Sequence, residues 1–223
     1  MNTLQHYKSD FVELLLASEA LRFGEFTTKS GRQTPYFINT GAFNDGQRIA
    51  ELGRLYAEHI VALGLDNVDI LFGPAYKGIS LCVSVAQALF LNHNISLGYC
   101  FDRKEQKQHG DKGGYVGKQV TPGSRVLLVE DVVTAGTTFK KMIPELRSSL
   151  QASISDAVIA VDRCEKGDSN KSAVSQIESE LEIKIHPIVT IHEIISYLES
   201  NRSGILTADL RSNIRAYLDQ YGV

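Results

Sequence analysis

Residues 126–141 read VLLVEDVVTAGTTFKK, and this stretch decides the fold. Val126, Leu127, Leu128 and Val129 form an unbroken apolar run, the pattern of a strand buried on both faces of a sheet. Glu130 and Asp131 end the run, and Val132, Val133, Thr134, Ala135, Gly136, Thr137 and Thr138 lead into a helical pattern. Small and hydroxyl-bearing residues at such a junction let backbone N–H groups close around an anion, and the helix dipole favours negative charge there. A phosphate fits that description. The two carboxylates cannot bind phosphate, yet they can accept hydrogen bonds from sugar hydroxyls or hold a hydrated Mg²⁺ indirectly. Phosphate beside carboxylates points to a phosphorylated sugar; the competing reading is an ordinary helix start favoured by acidic residues.

Outward from this stretch, short apolar runs alternate with helical patterns along most of the chain. DILFG (69–73) precedes a helical pattern over 79–91, and ISLGYCF (95–101) precedes a polar gap. After the helix of 136–150 come ISDAVIAVD (154–162), a helix over 171–181, KIHPIVTI (184–191) and terminal helices. Strands alternating with helices imply an open α/β fold, a mostly parallel sheet flanked by helices. Upstream, residues 4–20 place Leu4, Tyr7, Phe11, Leu14, Leu15 and Ala17 on one helical face. FGEFTTKSGRQTPYFIN (23–39) reads as a β-hairpin around Lys29-Ser30-Gly31-Arg32. Asn44 and Asp45 offer N-caps for a helix ending near Gly64. We expect a single domain over 1–223, with residues 1–42 contributing a small hairpin and helix hood over the site.

The 223 residues carry 23 basic and 26 acidic side chains, a formal charge of −3 that argues against a nucleic-acid or anionic-membrane binder. Any anion site must therefore be local. Cys82, Cys100 and Cys164 form no C-x-x-C pair, which fits a reducing, cytoplasmic setting. No basic start followed by an apolar run, and no apolar stretch of membrane length, is visible.

Two further junctions are rich in polar and small residues. GPAYKG (73–78) follows DILF with Walker A glycine spacing, but Ile79 and Ser80 stand where Lys and Ser/Thr would be needed, so an NTPase loop is rejected. Lys77 between two glycines still suits a pyrophosphate. The gap DRKEQKQHGDKGGYVGK (102–118) holds Arg103, Lys104, Lys107, Lys112, Lys118 and His109 among four glycines. It is too polar for a core and too long for a tight connection, the profile of a lid over a polyphosphate or of a plain solvated loop. Lys29 and Arg32 read equally as a charged hairpin tip, Tyr36 and Phe37 as core aromatics, and Arg163 as a strand cap. No His/Cys cluster has metal spacing, and neither a G-x-S-x-G elbow nor a G-x-G-x-x-G fingerprint occurs.

VLLVEDVVTAGTT resembles the phosphoribosyl diphosphate motif of the type I phosphoribosyltransferases. FTTKSGRQTPYFIN, GPAYKGI, RKEQKQHG and DRCEKG, in that order over most of the chain, resemble the orotate-using members of that family. The resemblance implies transfer of phosphoribosyl from phosphoribosyl diphosphate to orotate with Mg²⁺, in pyrimidine synthesis, by a homodimer. It implies that Glu130 and Asp131 meet ribose hydroxyls, that residues 134–138 (Thr134, Ala135, Gly136, Thr137, Thr138) cradle the 5′-phosphate, and that Val132 and Val133 also belong to the phosphoribosyl diphosphate site. Tyr76, Lys77, Arg103, Lys104, Lys107 and His109 would bind the diphosphate side, Lys29 would bind phosphoribosyl diphosphate where the hairpin meets the substrates, and Lys107, His109 and Asp131 would carry the catalysis. Tyr36 and Phe37 would flank orotate, with Thr134 and Arg163 on its polar edge. Much of the lid would reach the neighbouring subunit's site.

Two residues depart from the family's habit. Glu130 stands where many members carry Asp, one methylene longer, and Tyr36 replaces a frequent Phe. The nearest rivals are a phosphoribosyltransferase for another base, and a regulator that senses phosphoribosyl diphosphate while binding nucleic acid. Arg163 and the hairpin favour a carboxylate-bearing base over the first. The negative net charge disfavours the second.

Overall fold

The apolar runs pair into one six-stranded sheet in the computed structural model of the chain, which describes residues 4–28, 31–104, 114–133, 136–167 and 171–223. Its strands are β3 (Ile70–Phe72), β4 (Gly98–Asp102), β5 (Tyr115–Gly117), β6 (Arg125–Val129), β7 (Ser153–Asp162) and β8 (Lys184–Thr190). A separate antiparallel hairpin, β1 (Leu21–Thr27) and β2 (Gln33–Ile38), lies before them in the chain. In space the large sheet runs β5-β4-β3-β6-β7-β8, parallel from β4 to β8 with β5 antiparallel at one edge. Pro187 sits in β8, the opposite edge strand, where a missing N–H costs no ladder bond.

Strand order locates the site. Among the parallel strands the chain visits the sheet as second, first, third, fourth, fifth, so its direction of winding reverses between β3 and β6. Helices leaving these two strands diverge to opposite faces, and a crevice opens beyond their carboxyl ends. GPAYKG follows β3 and EDVVTAGTT follows β6, so both phosphate-suited loops meet at that crevice.

Period-two alternation splits the core. Leu71, Leu127 and Val129 face one buried cluster, while Ile70, Phe72, Val126 and Leu128 face the other. The first face is covered by α1 (His6–Ala17), α2 (Gly46–Ala62), α3 (Lys77–His93) and α6 (Ile191–Asn201), which contribute Phe11, Leu55, Leu89 and Ile194. The second is covered by α4 (Thr137–Leu150) and α5 (Ala173–Leu181) through Phe139, Ile143 and Ile177. Helices on both faces explain why these strands read as apolar without alternation. The last helix, α7 (Ala208–Tyr221), packs against β2, setting Tyr217 edge-on to Tyr36. Leu21 and Tyr36 of the hairpin and Phe11 of α1 belong to the same cluster as Leu71, so the amino-terminal elements are built into the main core.

Caps fix where helices begin. Asp45 accepts from the Arg48 N–H at 2.8 Å to start α2, and Thr190 with Glu193 forms a capping box for α6. One element differs from the sequence expectation: β5 lies inside the segment expected to be a polar gap over 102–118. Its three residues pair with Cys100, Phe101 and Asp102, a strand too short for any hydrophobic period to mark. Gly117 at φ +103° brings its Cα against the Tyr99 carbonyl, where a Cβ would stand 2.2 Å from the oxygen.

Candidate active site

The site is assembled from residues at the ends of β3 and β6. Lys77, first residue of α3, extends its ammonium across the crevice to Asp131 Oδ2 at 2.9 Å and to Thr40 Oγ1 at 3.1 Å. Thr40, in a 3-10 turn after β2, donates its hydroxyl proton to the same carboxylate oxygen, and the Val132 N–H donates to Oδ1 at 2.7 Å. Three chain segments thus converge on one carboxylate. Burial works against the charge of Asp131, but the bonds from Thr40, Lys77 and Val132 outweigh it and hold its pKa below the usual value.

Glu130 has the opposite environment. Its Oε1 accepts the Asp131 N–H at 3.0 Å, and Tyr56 of α2 donates to its backbone carbonyl at 2.8 Å, which anchors the end of β6. Burial first, and then the neighbouring Asp131 charge, push the Glu130 pKa up. Adjacent carboxylates in unlike surroundings therefore divide into one that keeps its charge and one that resists ionising. A raised folded pKa means that the folded state binds more protons than the unfolded one above the ordinary glutamate range. That stability is complete below the unfolded pKa and is lost as pH rises through the folded value. In Glu130→Gln we expect the fall in Tm between about pH 6 and about pH 9 to shrink relative to the parent, read by thermal melting across pH. An unchanged slope would show that Glu130 ionises freely.

The α4 end of the site is built for an anion. Gly136 is the N-cap at φ +67° and has no side chain to cap this fourteen-residue helix, so among the described residues no side chain takes up its first N–H groups. A Cβ on Gly136 would meet Ile177 Cδ1 at 2.3 Å, so only glycine allows both the turn and the approach of α5. Thr137 and Thr138 are exposed on that first turn. Thr134 and Ala135 lie outside the described residues.

Across the crevice, Gly73 and Gly78 pack backbone to backbone; a Cβ on Gly73 would lie 1.9 Å from the Gly78 carbonyl oxygen. That contact, and Asp102 Oδ1 accepting from the Ala75 N–H at 2.7 Å, turns Tyr76 and Lys77 outward. Tyr76 is largely exposed, with the Lys104 ammonium 5.9 Å from its ring centre. Arg103 is held through its backbone N–H on the Gly114 carbonyl, and its buried Nε has no partner among the described residues. Lys29, Lys107 and His109 lie outside the described residues.

Neighbouring residues of a strand project to opposite faces, and Tyr36 and Phe37 do so. Phe37 is half-buried and stacks on Phe26 at 5.4 Å, with Arg22 over both rings. Tyr36 is fully buried, its ring lies under the Arg163 guanidinium at 4.6 Å, and its hydroxyl donates to Glu165 at 2.9 Å. Burial above all drives its phenol pKa far up, so Tyr36 acts as a donor. Arg163 follows β7, beside the Asp131 loop, since Val132 bridges to Val161. Thr40, Asp102 and Glu165 are site neighbours to which the sequence reading assigns no role. Among the described residues no group of three or more His, Cys, Asp or Glu gathers to hold a metal. Two adjacent carboxylates fit Mg²⁺ carried mainly by substrate phosphates and water.

The phosphoribosyl transferase domain family matches residues 39–193, which run from the Thr40 turn through the sheet to α6. The chain belongs to that phosphoribosyltransferase family. It is 49% identical over 222 residues to the orotate phosphoribosyltransferase of Bifidobacterium adolescentis, covering 95% of this chain and 96% of that one. It is 43% identical over 223 residues to the orotate phosphoribosyltransferase of Clostridium acetobutylicum, covering 99% and 100% of the two chains. The solved orotate phosphoribosyltransferase of Francisella tularensis superposes with a TM-score of 0.84 at 38% identity, covering 96% of this chain and all of that one.

Proposed function

We infer that the protein transfers the 5-phosphoribosyl group from phosphoribosyl diphosphate to orotate, giving orotidine 5′-monophosphate and diphosphate in pyrimidine biosynthesis. One observation carries this reading: Lys77 and Asp131 meet at 2.9 Å where the winding reverses, beside the amino terminus of α4. A sugar phosphate spanning these groups would lay its 5′-phosphate on residues 134–138 and its hydroxyls against Glu130 and Asp131. Lys77, Tyr76, Arg103 and Lys104 then face the diphosphate, joined by Lys29, Lys107 and His109. In the free protein Lys77 satisfies Asp131; substrate hydroxyls replace it there and release the ammonium toward the diphosphate.

As the C–O bond to diphosphate breaks, positive charge grows on the ribose and negative charge on the leaving oxygens. The Asp131 carboxylate balances the first and the cations balance the second, before the orotate nitrogen closes the new N–C bond and gives up its proton to the departing diphosphate. Bound Mg²⁺ would supply further neutralisation of the diphosphate. Phe37 borders the base, Arg163 with Thr134 meets its polar edge, and Tyr36 takes part through the guanidinium its ring supports.

We also propose a homodimer. Val83, Phe90 and Leu91 recur on one exposed face of α3, with Phe90 54% and Leu91 68% exposed, and exposed Tyr76 continues that face to the site itself. A second copy seated there would bring its lid beside the diphosphate end. The cytoplasm suits its three free thiols.

Loss of orotate absorbance with Mg²⁺ and phosphoribosyl diphosphate, run beside uracil and hypoxanthine, tests the assignment. Orotate-specific turnover with diphosphate release is expected. Turnover with another base alone overturns the base assignment, and phosphoribosyl diphosphate binding without turnover overturns the enzyme reading.

A further inference from the structure

Arg163 rests on a neighbour that no role in the reaction has claimed. Glu165 Oε1 accepts from Arg163 Nε at 2.9 Å, Arg163 Nη2 at 2.6 Å, Tyr36 Oη at 2.9 Å and Tyr217 Oη at 2.9 Å. Both ionic side chains are mostly buried, at 17% and 16% exposure. Four donors on one oxygen fix the carboxylate, and the carboxylate fixes one edge of the guanidinium. The face of that guanidinium lies on the Tyr36 ring, and its Nη1 edge has no partner among the described residues. Burial opposes the Arg163 charge, but Tyr36, Glu165 and Tyr217 more than offset it, so the cation persists.

The support for Glu165 comes from the far end of the chain. Tyr217 lies on α7, whose end is stitched to the 163–167 loop: Lys166 N–H donates to the Tyr221 carbonyl at 2.7 Å and Val223 N–H to the Cys164 carbonyl at 2.9 Å. Tyr221 also lies under the Arg32 guanidinium at 5.0 Å, which ties the same helix end to the hairpin. A free arginine side chain must lose much rotamer freedom before it can present one edge to a ligand. Held on one edge and one face, this one has lost that freedom beforehand, which favours binding.

We propose that Glu165, held by Tyr217 of the carboxy-terminal helix and by Tyr36, is the positioning residue that aims the free Nη1 edge of Arg163 at the anionic edge of the acceptor base. Selection of a carboxylate-bearing base then depends on α7. The proposal rests on the reading that Arg163 meets the base.

The test is steady-state kinetics of Glu165→Gln, Tyr217→Phe, Arg163→Ala and Glu165→Gln/Arg163→Ala, with each substrate varied in turn. Glu165→Gln keeps the shape and an acceptor oxygen but removes the charge. Loss of a charge-assisted contact predicts a rise of about tenfold in KM for orotate. KM for phosphoribosyl diphosphate should stay within about twofold, since uniform damage would move both. On the Arg163→Ala background the same change should have no further effect on orotate. Tyr217→Phe, which keeps the ring and the packing, should shift KM for orotate in the same direction by a smaller factor, and serves if Glu165→Gln fails to fold. Equal losses for both substrates, or additive effects in the double variant, overturn the proposal as mere structural damage. An impaired Arg163→Ala beside an unaffected Glu165→Gln and Tyr217→Phe overturns the positioning role alone. An Arg163→Ala enzyme with unchanged KM for orotate overturns the underlying placement of Arg163 at the base.

Discussion

Asp131→Asn lowers kcat/KM for phosphoribosyl diphosphate by about a hundred- to a thousandfold, the range for loss of one preorganised electrostatic group. Asparagine is nearly isosteric, and its carbonyl oxygen can still accept from Thr40 or from the Val132 N–H, so the loop stays in place. What disappears is the negative charge facing the developing cation on the ribose. In the free protein Lys77 also loses the charged partner that it reaches at 2.9 Å. The charge on Asp131 is favoured in the fold, since Thr40, Lys77 and Val132 outweigh its burial; stability from it is present above the unfolded pKa and lost as pH falls through the lowered folded one. Asn forgoes that stability at neutral pH. Lys77 is more than half exposed, however, and turns to water, so the loss in Tm stays small beside the loss in rate. Steady-state kinetics with a parallel melt checks this. A decrease below about tenfold in kcat/KM would remove the Asp131 charge from the reaction.

The scaffold could be foreseen because its strands are buried on both faces and leave continuous apolar runs. The winding reversal could not, because it depends on which strands pair, and β3 lies between β4 and β6 through contacts distant in sequence. Glu130, Asp131 and Lys77 are legible as chemical types at strand ends. Thr40 is not, since its bond to Asp131 spans 91 residues and nothing in the turn that carries it announces a ligand. Glu165 lies two residues from Arg163 and reads in isolation as a solvated pair. Its burial is created by Tyr36 and Tyr217, 129 residues before and 52 after. The opposite projection of Tyr36 and Phe37 follows from strand period alone, but the choice of the buried ring needs α7.

These hidden residues share a property. Each is a polar group that supports a charged part of the site through at least one contact distant in sequence: Thr40 at Asp131, Asp102 at the backbone of the loop bearing Lys77, and Glu165, itself fixed by Tyr36 and Tyr217, at Arg163. A chain whose formal charge is −3 can bind a highly anionic substrate only if its cations are gathered and aimed locally. Every aimed cation needs a fixed partner, and sequence motifs record the cations more readily than the partners.

Two inactive variants, Asp131→Ala and Lys107→Ala, regain activity when mixed and allowed to exchange subunits. If the lid of one subunit serves the site of the other, each mixed dimer has one site with Asp131 from the lysine variant and Lys107 from the aspartate variant. The second site of the same dimer lacks both. Random exchange makes about half of the dimers mixed, so about a quarter of all sites recover, whereas a lid serving its own subunit gives none. The proposed seat of the second copy, the apolar face of α3, runs from Leu91 and Phe90 to Tyr76, which neighbours Lys77 in the diphosphate loop. Bringing a partner's basic lid to that end adds positive charge where the leaving group forms and keeps water from the ribose. Lys107→Ala alone should therefore cut turnover far more than it changes Tm. Phe90→Asp, which places charge on the shared face, should lower both the dimer fraction by sedimentation and the activity. Full activity from a Phe90→Asp monomer, or no recovery on mixing with exchange verified, would return the lid to its own subunit's site.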